Sequence, residues 1–566
     1  KEEFWAMIKD WAEEKQLVFP DQVPAYFQFL NPREGWPPLK FEVTSEGLTR
    51  EDFEGEVDRL YPIRALYYPE KAKKAAARGN GHYWHGSRGP VTGEGSRSPH
   101  TAPVTTADNL AWTWQHRMHK WATIHSGVSI DDRLDIYLTC FDGVRKFDLA
   151  GKLLWETVTL PSQLTDSPCL YKGAIYGSLT TGEVFAMDIE DGSWIWLTKV
   201  SYAVSQDNGF VNVGEDVLVA GVDEHPKMGS GSNRVVGMAV ADGTLLWSYR
   251  PDETCWNFGA GYPGDGTVVF QDWAGKAYRI SLKDGSEIWK GGGIPNTWTD
   301  GTMSLGPSAF GPEPVVYTVG TGAGQGGLTF GAVGWVTAHR LKDGKVLWRT
   351  KVPEPPNNAP AIGPLEPGGP LRVVIPCGAQ CNFDYPTIID VLDAKDGALL
   401  WRFNGPKLAA REPFQPTFQA ADPQGIEERL KHGCRDQSAP NPWGAPSIGG
   451  DGTIYCGNQD GQVYSIRQSN KPVKNSFKYR GNWEGVVQVG PDQSAEVWAF
   501  ECFACFGGPA GAAIAPGVLV VDSIDTMFVY VDPSVYSKKA EASSSQAPAP
   551  KAKDASAAWA RAMLGE

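Results

Sequence analysis

The chain has 566 residues, 21% of them charged, with 65 Gly, 42 Pro, 22 Trp and 9 Cys, which is the composition of a globular protein and not of a fibrous or disordered one. Fifty-two Lys and Arg against 66 Asp and Glu leave a net charge of −14, so the basic surface that DNA or RNA binding requires is absent and no nucleic acid partner is expected. No stretch reaches the roughly 18 consecutive apolar residues of a spanning helix, so no transmembrane segment is expected, although peripheral association with a membrane complex stays open.

The sequence begins at Lys1 with no Met and no signal-type apolar region, the pattern of a processed chain, which points to an exported or organellar compartment. Residues 1–80 read as a partly helical N-terminal extension. Phe4-Trp5-Ala6-Met7-Ile8-Lys9-Asp10-Trp11-Ala12 places its apolar residues at helical spacing, and a Pro- and aromatic-rich stretch follows from Phe19 to Phe41. Next come His82-Tyr83-Trp84, Ser96-Arg97-Ser98-Pro99 and a Trp-rich run from Thr105 to Trp114. His116 and His119 are spaced for shared metal ligation on a helix, but Ala111 to Ile124 reads as containing a strand, where residues three apart face opposite sides.

From residue 150 onward one phrase recurs: Asp-Gly, three residues, Trp. It appears at Asp191-Gly192 to Trp196, Asp242-Gly243 to Trp247, Asp284-Gly285 to Trp289, Asp343-Gly344 to Trp348 and Asp396-Gly397 to Trp401, with an Ala150-Gly151 to Trp155 variant first. The Trp residues recur every 41 to 59 residues, the length of a four-stranded blade with variable loops. Each unit reads as an alternating strand, an Asp-Gly turn and a strand ending in Trp. Gly supplies positive φ, Asp bonds its own backbone, and Trp buries aromatic surface between neighbouring sheets. Two units without the Trp follow, one around Asp451 to Tyr464 and one from the strands near Val486 to Phe500 and Val518 to Val531. The expected fold is therefore all-β, an eight-bladed propeller over residues 81–532. Its ring should close by pairing the entry segment around Leu110 to Trp114 with the strands near Val518 to Val531.

The cysteines do not form the two close pairs of a structural zinc site; Cys377 with Cys381 and Cys502 with Cys505 are either bridged, redox-active or simply buried. Residues 533–566 pass through Ala-Ser-Pro-Lys low complexity into a short amphipathic stretch with Trp559, Met563 and Leu564, a tail suited to docking a partner. There is no Gly-Xaa-Ser-Xaa-Gly elbow, phosphate-binding Gly-Lys-Ser/Thr loop or His-Glu-two-residues-His zinc motif.

The Trp-ended repeat resembles that of the pyrroloquinoline quinone (PQQ) repeat propellers, and the segments at His82, Ser96 and Thr105 resemble the entry segment of quinoprotein alcohol dehydrogenases. The resemblance covers residues 80 to 531. It implies a quinone on the propeller axis between a disulfide of two adjacent cysteines and a Trp. It also implies a metal held by a Glu, an Asn and an Asp, with a carboxylate as proton acceptor. This chain departs from that pattern. No two cysteines are adjacent, and the counterpart region holds Cys169 alone. Asp223 and Glu224 are candidates for the acid of the third blade, with a solvated turn as the alternative. Ala323 stands where the Asn ligand belongs and has no lone pair to offer. No Asp follows Trp348, where Glu354 is the substitute between prolines. Trp298 is the candidate stacking Trp.

Two main readings result. One is a protein-binding or scaffolding propeller that has lost its cofactor chemistry and carries no cofactor. Its contacts would be the N-terminal arm (Phe4, Trp5, Trp11, Tyr26, Phe27), the rim loops and the C-terminal tail. The other is a PQQ-dependent alcohol or aldehyde dehydrogenase with calcium or a lanthanide in a rearranged site of Asp223, Glu224, Glu354 and Trp298. A lyase or hydrolase using His225 or the funnel acids is a third.

Overall fold

The computed structural model describes residues 62–535 apart from 90–91, 117–123, 161, 165–167, 202–203, 205–209, 224–230, 300, 323–332, 357, 379–385, 408–441, 476–480, 503, 505, 507 and 509. The predicted Phe4–Ala12 helix and the tail beyond 535 therefore lie outside the described residues.

Eight antiparallel sheets follow one another along the chain, and the innermost strands of successive sheets pack side by side into a ring. Blades one to six carry the repeat Trp residues in order, from Trp155 in the strand Leu153–Val158 to Trp401 in Leu399–Lys407. The Trp lies inside the fourth strand of its blade, not at the strand's end: Leu245–Tyr249 continues past Trp247, and Glu287–Gly291 past Trp289.

The repeat has a physical reason in the contacts between blades. Each indole N–H donates to the carbonyl just ahead of the next blade's Asp-Gly turn: Trp155 to Ile189 (3.2 Å), Trp196 to Val240 (2.9 Å), Trp247 to Leu282 (2.7 Å), Trp289 to Leu341 (2.8 Å) and Trp348 to Ala394 (3.0 Å). The turn Gly then lies flat against the ring. A Cβ at Gly243, whose φ is +71°, would stand 2.6 Å from Trp196 Cε3, and one at Gly192 would stand 2.6 Å from the same atom of Trp155. The Asp closes the turn by accepting the N–H two residues on, as Asp191 does from Ser193 and Asp242 from Thr244. Dipeptide and Trp are thus two halves of one joint, contributed by neighbouring blades.

The strand Leu110–Gln115 pairs antiparallel with Thr526–Val531, as expected, and makes the outer strand of the eighth blade. Trp112 donates to the Leu149 carbonyl (2.9 Å), and its ring lies 2.9 Å from where a Cβ on Gly151 would stand, so the closing blade uses the same joint. One grouping differs from expectation. The strands Trp483–Gly490 and Gln493–Glu501 belong to the seventh blade, where Gln493–Glu501 pairs with Gln462–Ser469. The boundary between the two C-terminal units was drawn too early because neither carries the Trp phrase that marks one. Trp401, facing this seventh blade, accordingly donates to the Gln468 side chain (3.2 Å) in place of a turn carbonyl.

Ahead of the ring, the strand Ile63–Tyr67 adds a fifth strand to blade two by pairing with Trp194–Lys199, and the helix Pro69–Ala76 follows, buried on Ala72 and Ala75. The chain then enters the axis. Residues 82–89 and 92–100 run through the centre of the ring and hydrogen-bond to inner strands on several sides. The Trp84 carbonyl accepts from Ile130 N–H (2.9 Å), His85 from Leu170 (2.6 Å), Ser87 from Gly511 (2.7 Å), Gly95 from Ile362 (2.7 Å) and Ser96 from Ile448 (3.1 Å). Inner strands are sheet edges with unspent backbone groups, and this segment satisfies them where water would otherwise have to.

Candidate functional site

Within each blade the first strand runs antiparallel to the second, so the start of one lies beside the end of the other at the same mouth of the ring; Val211 pairs with Ala220, and Ser304 with Tyr317. Turns after second strands and connections into first strands therefore converge on that mouth. Asp223 after Val217–Val222, Trp298 ahead of Ser304–Gly306 and Glu354 ahead of Ala361–Pro364 all stand there. The three described candidates thus stand on one face of the propeller.

The side chains do not form one centre, however. Asp223 is buried, so the solvated-turn alternative does not hold for it; Glu224, His225 and Ala323 lie outside the described residues. Glu354 is buried at the junction of blades five and six. Burial pushes its carboxyl up to about 7, against the opposing pull of the Arg402 guanidinium. Arg402 is itself committed to Asp390, with contacts of 2.6 and 2.9 Å, and the buried Cys377 thiol belongs to the same surroundings. Trp298 is half-buried and packs on Trp273 (6.0 Å between ring centroids), which stacks on Trp256 (6.4 Å). These partners escaped the sequence reading because they stand outside the repeat that makes the other Trp residues conspicuous.

The axis itself holds the chain's own residues. Arg88 Nη2 donates to the Asn257 carbonyl (3.2 Å), and the guanidinium lies 4.9 Å over the Phe210 ring. Two cavities flank the segment, each of about 40 Å³. One is lined by Ser87, Arg88, Asn212 and Ser304, the other by Gly444, Phe506, Asp522 and Ser523. Each has room for a few waters. Within the segment His82 is buried and His85 partly so, and they hydrogen-bond the carbonyls of Lys172 (2.7 Å) and Leu170 (3.0 Å); burial, with the neighbouring His85, lowers His82 to about 4, so it is neutral at pH 7.

Among the described residues, one group brings three possible metal-ligand atoms within 4.8 Å of one another: His116, Cys140 and Asp142. A cation is already in place there. Arg145 binds Asp142 through both oxygens (2.8 and 3.0 Å), reaches Glu156 at 2.8 Å, and lies 5.4 Å over Trp114, while His116 Nε2 stands 3.1 Å from Asp142. Burial raises the Asp142 carboxyl, and the His116 and Arg145 hydrogen bonds outweigh it and hold the group well below the usual range. The cluster ties the closing strand to blade one. His119 lies outside the described residues, and the strand expected before it is present as Leu110–Gln115. Cys377 and Cys502 are buried free thiols, while Cys381 and Cys505 lie outside the described residues. No helix among the described residues is long and apolar enough to cross a membrane.

Ring, inter-blade joint and closing strand define an eight-bladed β-propeller. Over part of the chain its repeats are similar to those of PQQ-repeat propellers and quinone alcohol dehydrogenase subunits. A family model described as outer membrane protein assembly factor BamB matches residues 141–296. The dehydrogenase subunit of alcohol dehydrogenase (quinone) from Komagataeibacter europaeus is 33% identical over 136 residues. That alignment takes in 21% of this chain and 17% of the relative, so the chain spans under a fifth of the curated relative it matches. Among solved structures, BamB from Moraxella catarrhalis is similar with a TM-score of 0.46 and 12% identity, over 76% of this chain and 98% of that one. The quinohemoprotein alcohol dehydrogenase ADHIIG from Pseudomonas putida HK5 gives 0.45 and 9%, over 81% and 85%.

Proposed function

We propose that this propeller works as a protein-binding or scaffolding subunit of a larger assembly and carries no quinone cofactor. The observation that supports this most is the axis. Where the resemblance implies a flat, stacked quinone, the chain lays its own residues 82–89 and 92–100 against the inner strands, and each of the two cavities described beside them has room for a few waters. The donor set does not fit the metal either. Ala323 offers no ligand atom, no adjacent cysteines exist to cap a quinone, and the ionic surroundings of Glu354 are Arg402 and Cys377 of blade six. The N-terminal arm, the rim loops and the tail are the contact surfaces under this reading.

The second reading, a PQQ-dependent alcohol or aldehyde dehydrogenase with a rearranged site, draws on the 33% identity to a quinone alcohol dehydrogenase subunit. Asp223, Glu224, Glu354 and Trp298 would carry it. Thermal unfolding with PQQ and calcium, and separately with a lanthanide, separates the two, because a ligand that binds the folded state raises the melting temperature by mass action. No shift is expected. A saturable shift that Asp223→Ala or Glu224→Ala removes would overturn the scaffold reading and make alcohol oxidation the next assay.

A further inference from the structure

Blades one and two carry the same repeat on adjacent sheets, yet their outer strands are finished differently. In blade two, Ile195, the residue before the repeat Trp, is 2% exposed in the cluster that holds Ala72 and Ala75 of the helix, which follows the strand Ile63–Tyr67 paired along the blade's outer edge. In blade one the equivalent residue, Leu154, is 43% exposed, and Leu153, Val158 and Leu160 beside it are exposed as well, Val158 at 56%. Leu246 and Ile288 show that the position before the Trp is exposed in other blades without a fifth strand. Blade one adds three more apolar side chains to it along one open edge, the kind of edge that soluble proteins blunt with charge or cover.

We propose that residues 39–44 of the N-terminal arm cover this edge as a fifth strand of blade one. The sequence there, Leu39-Lys40-Phe41-Glu42-Val43-Thr44, alternates apolar and polar residues with the period of a half-buried strand. The chain joins the described structure at Pro62, on the outer edge of the neighbouring blade, and the residues between 44 and 62 reach roughly 60 Å when extended, ample for one blade spacing. Two strands of the arm would then cap two successive blades, the first by the pairing that the second already displays. This goes beyond the scaffold reading, since it takes part of the arm out of the partner-facing surface, and it stands whether or not a quinone binds.

Amide hydrogen exchange on the full-length chain tests it, with peptides covering 153–158 compared with those covering 194–199. The outward-facing amides of 153–158 are expected to exchange about tenfold or more slowly than an open edge would, and to lose that protection in Phe41→Asp/Val43→Asp while 194–199 keeps its own. Lys40 then stands roughly 17 Å along the strand from Lys152, so an amine-reactive cross-linker long enough for that span should join the two in the unmodified chain, a readout that does not depend on the variant folding. Fast exchange at 153–158 in the unmodified protein overturns the proposal. So does protection that survives the double substitution, which would mean that another chain covers the edge, or a cross-link pattern in which Lys40 joins other lysines and not Lys152.

Discussion

Replacing Gly243 by Ala tests the inter-blade joint directly. Two separable costs are expected. The residue has φ +71°, and an L side chain in that region costs about 1–2 kcal/mol. The new methyl would also stand 2.6 Å from Trp196 Cε3 and 2.7 Å from Thr198 Oγ1, closer than real Cβ contacts come. Trp196 cannot retreat, because it is buried and its N–H is held by the Val240 carbonyl at 2.9 Å. Overpacking of this kind costs about 1–3 kcal/mol more. Gly264→Ala isolates the first cost: its φ is +84°, and nothing lies within 4 Å of where the methyl would stand. Urea unfolding followed by Trp fluorescence, with one shared slope for all variants, should place Gly243→Ala about 2–5 kcal/mol below the parent and Gly264→Ala about 1–2 below. Equal losses in the two variants would refute the argument that the turn glycine is required by the neighbouring indole.

Trp112→Ala should cost about 3–5 kcal/mol, as for a repeat Trp, and should expose the strand 110–115 to limited proteolysis; unchanged stability would remove Trp112 from the joint. Glu354 gives a pH signature whose sign follows from its raised value. The folded state keeps the proton to about pH 7 while the unfolded chain releases it near 4.5, so stability falls as pH rises through that window, by roughly 3 kcal/mol in all. Glu354→Gln should flatten this dependence and be the more stable form at pH 8, as read from urea midpoints at pH 4.5 and 8. Cys140, Cys169, Cys255, Cys377, Cys456 and Cys502 are buried, and their thiols should resist alkylation at pH 8 until the protein unfolds, which mass spectrometry of labelled peptides would show.

The repeat was legible because both halves of each joint are rare and fixed in spacing: Gly243 must lack a side chain exactly where Trp196 brings a ring. Trp112 was not recognised as one of the series because its strand comes before the repeat begins, and its glycine partner, Gly151, sits in the variant without Asp. The grouping of the last two units failed for the opposite reason, the absence of any Trp to mark the seventh blade. The axial segment has no periodicity to read; its course is set by backbone hydrogen bonds to inner strands as distant as Ile448 and Gly511. For the site, strand order alone decides that Asp223, Glu354 and Trp298 stand at one mouth of the ring, although the sequence reading did not draw that out. What surrounds each of them was not legible. The fate of Glu354 depends on Arg402, and that of Trp298 on Trp273, neighbours supplied by other strands.

The axial segment also sets an order of assembly. Residues 82–100 leave the ribosome before any blade exists, and Thr526–Val531, which pairs with the closing strand, leaves it after every other described strand. A closed ring would have to be threaded, which chains avoid. The early segment must therefore wait on the incomplete sheets and be wound in as each inner strand arrives, a spindle laid down before the wheel. Loss of the last dozen strand residues would then release the outer strand of blade eight and open the apolar cluster that Trp84 shares with Val518 to Val531, so that truncation there should be felt at Trp84 as well as at Val531.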